Sequence, residues 1–142
     1  MATWEQLKAY IYEQWPGAED TGDRLKLVLG MADRQPRTQI VFISHHQAPD
    51  SGEWAMIESP IGLLERSPSG SLEGIDLVRA AKEVGSMLCG GLGTLNHEPR
   101  IVGLRHAVPL TNLDLNEFEH PLTILTGSAD ELEEMLTGRD EV

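Results

Sequence analysis

Residues 39–44 constrain the fold more than any other part of the sequence. They read Gln-Ile-Val-Phe-Ile-Ser, and such β-branched and aromatic residues predict a β-strand. Because successive side chains of a strand point to opposite faces, Ile40 and Phe42 share one face of the sheet. Val41 and Ile43 share the other face. An antiparallel sheet with one wet face would alternate apolar with polar residues, so both faces of this strand need a cover, from a helix of the chain or from another chain.

The flanking patterns predict an α+β domain around this strand. Thr3 and Gln6 form a capping-box pattern, and an apolar stripe from Trp4 to Trp15 predicts a first helix that Pro16 ends. Residues 25–29 and 53–58 predict two more strands, joined to residues 39–44 by short turns. Residues 71–88 predict a second helix, and residues 92–95 and 101–108 predict two more strands. Asp114 and Ser128 mark the predicted starts of two further helices, which Pro121 separates. The predicted fold is therefore a five-stranded antiparallel sheet in the order α-β-β-β-α-β-β-α(-α), with helices mainly on one side.

Length and charge narrow the functional classes. The 142 residues predict one domain, over residues 1–138, followed by an acidic tail over residues 139–142. The formal charge of −12 argues against binding to nucleic acid or to an anionic membrane surface. Cys89 is the one cysteine, so no internal disulfide can form, and no apolar run is long enough to span a membrane. A cytoplasmic location is predicted.

No motif of an enzyme or of a cofactor site is present in the sequence. The glycines near Gly91 follow a predicted helix and precede a strand, which is the reverse of a dinucleotide-binding loop. His45 and His46 are adjacent on a strand, so they point to opposite faces and cannot bind one metal ion without a bend. We therefore predict no metal and no cofactor. The alternative is a small metal-dependent enzyme or metal binder that uses His45, His46 and His106.

Several segments together resemble the bacterial type III secretion chaperone-like superfamily. They are the opening helix from Trp4 to Trp15, residues 37–42, residues 54–62, residues 105–110, Leu113 with Asp114, and residues 129–133. The pattern is similar to the branches known as sensory-transduction regulators and to actinobacterial chaperone-like domains, and it covers nearly the whole chain. The resemblance implies a non-enzymatic homodimer that holds an extended segment of a client protein, sometimes by adding a strand to its sheet.

The resemblance and the strand pattern give two predicted surfaces. The face that carries Val41 and Ile43 is the predicted client-contact surface, joined by Val28 and Trp54. The predicted dimer interface is built from the second helix and the strands of residues 92–95 and 101–108. Residues 85–95 contain no charged residue, and a competing account places this run in the core. Its predicted members are Val84, Leu88, Leu92, Val102 and Leu104. A regulatory or immunity protein that binds one folded partner is a further alternative.

Overall fold

A computed structural model describes residues 2–30, 37–63, 76–87 and 90–137. Within these residues the chain forms three α-helices, one 3-10 turn (Leu115–Phe118) and six strands. The helices are α1 (Trp4–Gln14), α2 (Leu77–Val84) and α3 (Glu119–Thr137). The strands are β1 (Glu19–Asp20), β2 (Leu25–Gly30), β3 (Thr38–Ala48), β4 (Gly52–Leu63), β5 (Gly91–Leu95) and β6 (Glu98–Pro109).

The strands form one antiparallel sheet in the order β1-β2-β3-β4-β6-β5. The α+β class and the antiparallel meander of β2, β3 and β4 are confirmed. The predicted number of five strands is wrong, because the two-residue strand β1 also pairs with β2. Strand β4 also runs past Pro60, where the register shifts before Gly62 and accommodates a residue that has no N–H to donate.

All three helices contribute side chains to one apolar cluster on the same face of the sheet. Val41 and Ile43 of β3 lie in this cluster with Ala55 and Ile57 of β4, and these four residues define the inner face. The chain's own helices therefore cover the inner face. The helix members of the cluster are Leu7, Ile11, Ala80, Leu122, Leu125, Ala129 and Leu132. The opposite surface, which carries Val28, Ile40, Phe42 and Glu58, is called the outer face.

The helix boundaries differ from the prediction at two places. The predicted break at Pro121 is wrong, because α3 is continuous and Pro121 is its third residue. A proline in the first turn removes an N–H that has no partner within the helix, so it costs little there. Helix α2 begins after Asp76, whose side chain accepts a hydrogen bond from the Arg79 amide at 3.1 Å. The predicted start at Ser71 and the predicted tail over residues 139–142 lie outside the described residues.

Within the described ranges, the structure contains no helix that is long and apolar enough to cross a membrane.

Candidate functional site

The four predicted client-contact residues divide between the two faces of the sheet. Val41 and Ile43 are 0% exposed, so the prediction that they contact a client is wrong: the chain's own helices bury them. Val28 pairs with Ile40 and therefore lies on the outer face, where 56% of it is exposed. Trp54 pairs with His46 and is half-buried on the same outer face. Of the predicted client-contact residues, only Val28 and Trp54 on the outer face are therefore accessible.

The predicted dimer interface is also partly corrected. Val102 and Leu104 are 2% and 0% exposed and belong to the chain's own core, so their side chains are not available to a second copy. Val84 and Leu92 are partly buried and pack against the same core. Leu88 lies outside the described residues. Within the uncharged run of residues 85–95, Leu95 is buried at 2% exposure and Leu92 is only partly buried, and the homodimer itself stays a prediction.

The outer edge of β2 is only partly paired. Strand β1 pairs with Leu25 and Lys26, and within the described residues no strand pairs with residues 27–30 on that side. The chain enters β1 from α1 through Pro16, which has no N–H to donate to a neighbouring strand. The Ala18 amide donates to the Trp15 carbonyl at 2.9 Å, so β1 begins only at Glu19 and leaves the outward-pointing backbone groups at the end of β2 without a strand partner among the described residues.

A groove of about 390 Å³ lies along this unpaired edge. One side of the groove is the end of α1 and the loop after it, and the other side is β2. Its lining residues are Gln14, Trp15, Pro16, Gly17, Ala18, Leu27, Val28 and Leu29, most of which are apolar. Val28 is the most exposed large apolar residue found on a strand. The groove therefore combines free main-chain groups with an apolar wall.

An ion pair fixes the short strand beside the groove. Lys8 of α1 lies 2.7 Å from the Asp20 carboxylate of β1. The hydrogen bond to Lys8, with help from the Gly22 amide, lowers the pKa of Asp20, and the same pair raises the pKa of Lys8. This contact holds β1 against α1 and so keeps the remaining edge of β2 clear.

A buried polar cluster lies on the outer face, and sequence reasoning missed it. The Glu58 side chain is fully buried, and its Oε2 accepts hydrogen bonds from Arg105 Nε at 2.8 Å and from the Asn96 amide at 3.0 Å. Arg105 Nη2 donates to Asn96 Oδ1 at 2.8 Å. Glu58 and Arg105 are direct cross-strand partners, but only the β4–β6 register, which the sequence does not reveal, brings them together.

The histidines do not converge on a metal site. His45 stacks on Trp4 at 5.3 Å between ring centroids, whereas His46 Nε2 lies 3.2 Å from Ser44 Oγ on the outer face. Their predicted opposite facing is confirmed. His106 pairs with Ile57 and therefore shares the inner face, away from His46. Within residues 2–30, 37–63, 76–87 and 90–137, no three His, Cys, Asp or Glu side chains are grouped to hold a metal ion.

In the part of the chain that the structure describes, the contacts of Ser44 and His46 differ from those of a hydrolase nucleophile and its base. A nucleophilic serine needs a base whose second ring nitrogen is oriented by a third group. His46 instead directs the same nitrogen, Nε2, toward Ser44 Oγ at 3.2 Å and Asn96 Nδ2 at 3.4 Å. The contacts therefore serve to hold Asn96 over the outer face.

A second buried charged cluster joins β3 to α3 on the inner side. The carboxylates of Asp130 and Glu133 are both 0% exposed. Arg37 lies beside them, with Nε 3.0 Å from Asp130 and Nη2 3.5 Å from Glu133. A guanidinium beside buried carboxylates offsets the loss of their hydration, so this cluster anchors the last helix on the sheet.

Comparisons with models of known protein families and with curated proteins find no match for this chain. The resemblance to type III secretion chaperones therefore stays a prediction.

Proposed function

We propose that this protein is a non-enzymatic, chaperone-like binding module that holds an extended segment of a partner protein. The observation that supports this function is the unpaired edge of β2 beside an apolar groove. An extended segment can pair its main chain with such an edge and place alternate side chains against the groove. This site replaces the buried face of Val41 and Ile43 as the place of contact.

The charge of the chain favours one kind of segment. The protein carries a formal charge of −12, so an acidic segment would be repelled at long range. A segment with alternating apolar residues and basic flanks would be attracted. We therefore propose a partner segment that is extended, apolar at every second residue and flanked by lysine or arginine.

A labelled peptide of alternating valine and threonine, with a lysine at each end, tests this proposal by fluorescence anisotropy. Val28→Ser should weaken binding about tenfold, because burying a valine side chain contributes about 1.5–3 kcal/mol. Val78→Ser is the matched control, since Val78 is a similarly exposed valine, 67% exposed, on α2 and away from the groove. That variant should bind the peptide as the wild type does.

A second peptide separates main-chain pairing from charge attraction. It has the same sequence and charge, but its central valines are N-methylated and cannot donate a hydrogen bond to a strand edge. We expect this peptide to lose binding. Equal binding of the two peptides, or equal weakening by Val28→Ser and Val78→Ser, would contradict the proposed function.

A further inference from the structure

The tip of the β5–β6 hairpin, residues 95–97, lies across the outer face of the sheet. The Asn96 amide donates to Glu58 of β4, and the Asn96 side chain lies 3.4 Å from His46 of β3. His97 Nδ1 lies 3.1 Å from the Asp23 carboxylate in the turn between β1 and β2. Because β1 and β5 are at opposite edges of the sheet, this last contact connects the two edges across the outer face.

Two glycines allow the hairpin to bend over the sheet. Gly93 and Gly103 are direct cross-strand partners, and a β-carbon at Gly103 would overlap the carbonyl oxygen of Ser59 and the side chain of Leu95. The register shifts again between Thr94 and Leu95. Leu95 is 2% exposed but stands apart from the main apolar cluster, so the tip rests on a small contact of its own.

In the part of the chain that the structure describes, two of the buried side-chain atoms without a hydrogen-bond partner belong to residues beside these contacts of the tip. They are Glu58 Oε1 and Arg24 Nη1. Arg24 lies flat over the ring of Phe42 at 3.6 Å, and Phe42 is the direct cross-strand partner of Glu58. A buried donor or acceptor without a partner destabilises the state that contains it. Displacement of the tip would take the Asn96 amide away from Glu58 and the His97 ring away from Asp23, the neighbour of Arg24. Water that reaches the freed carboxylate of Glu58 would offset part of the loss of these contacts.

We propose that residues 95–97 form a lid that opens separately from the sheet and uncovers a second partner-contact surface around Phe42 and Glu58. The uncovered groups suit a main-chain amide, which has one donor for Glu58 Oε1 and one acceptor for Arg24 Nη1. This surface continues through Ile40 to Val28, its cross-strand partner at the groove. The identity of the partner rests on the proposed function, whereas the lid itself does not.

Amide hydrogen exchange, followed by NMR, tests the lid without any partner. In the wild type, the Asn96 amide should exchange at least about tenfold faster than the amide of Ile43, which lies in a strand paired on both sides. Asp23→Ala removes the contact with His97 and should raise the ratio of the Asn96 rate to the Ile43 rate several-fold. Asp50→Ala, at an exposed position in the β3–β4 turn, is the control and should leave this ratio unchanged.

Equal exchange of Asn96 and Ile43 in the wild type would overturn the lid, because both amides would then open only in global unfolding. A ratio that Asp23→Ala does not change would also overturn it. The peptide of alternating valine and threonine then tests the role of the lid. If it controls access, Asp23→Ala should bind that peptide more tightly than the wild type. If the Asn96 amide of Asp23→Ala exchanges faster but the affinity of this variant for the peptide is unchanged, the lid does not control access. If neither the wild type nor any variant binds the peptide, the result contradicts the proposed function instead.

Discussion

Two valines on neighbouring strands provide a direct test of which face of the sheet is the core. Val41 is 0% exposed on the inner face, where its cross-strand partner is Leu27. Val28 follows Leu27 in the chain, lies on the outer face and is 56% exposed. Val41→Ala removes two buried carbon groups, worth about 0.8 kcal/mol each, and leaves a cavity under α3. We expect a loss of about 2–3 kcal/mol in the free energy of unfolding. Val28→Ala should cost less than about 1 kcal/mol, which is the span of strand propensity.

Urea unfolding followed by tryptophan fluorescence measures both values, since Trp4 is stacked on His45 and would lose this environment on unfolding. With a urea slope of about 1–3 kcal/mol per M, the midpoint of Val41→Ala should fall by about 0.7–3 M. The midpoint of Val28→Ala should move much less. Equal shifts of the two midpoints, or a larger shift for Val28→Ala, would refute the assignment of the inner and outer faces.

Two further predictions concern the hairpin bend and a tyrosine at the helix interface. Gly103→Ala should lower the melting temperature strongly, because the added methyl group meets the Ser59 carbonyl. Gly17→Ala is the control and should change the melting temperature little, because the space around Gly17 is open. Similar melting curves for the two variants would contradict the close approach of Gly103 to the Ser59 carbonyl. The hydrogen bond from Tyr10 to the Glu119 carboxylate raises the pKa of Tyr10 to about 12, so its contribution to stability is complete below about pH 10 and is lost as the pH rises toward 12. Glu119→Gln should bring this pKa back toward 10 in an ultraviolet absorbance titration, and an unchanged value would exclude Glu119 as the cause.

Local patterns in the sequence predict the elements well where one short-range cause decides them. The capping box of Thr3 and Gln6 is present, with the two reciprocal hydrogen bonds at 3.2 and 3.0 Å. The period-2 pattern of residues 39–44 correctly separates the two faces of β3. It does not tell which face the helices cover, because Ile40 and Phe42 are as apolar as Val41 and Ile43.

The parts that the sequence does not predict depend on contacts between distant residues. Glu58, Asn96 and Arg105 meet only through the register of β4, β5 and β6, and each alone has the pattern of an ordinary surface residue. The sequence does not predict that α3 is continuous. A proline breaks a helix in its interior but not in its first turn, and the sequence does not reveal that the helix begins only two residues before Pro121. The groove beside β2 likewise follows from how late β1 begins.

The attachment of α3 to β3 has a consequence for how the protein emerges from the ribosome. Val41 and Ile43 are synthesised about ninety residues before Leu132, which packs in the same cluster, and Arg37 meets its partners Asp130 and Glu133 only then. At about 5–20 residues per second, the inner face of the sheet stays without α3 for roughly 5–20 seconds of translation. A nascent chain in that interval lacks the cover of α3 over the same kind of apolar strand surface that the finished protein is proposed to hold in others.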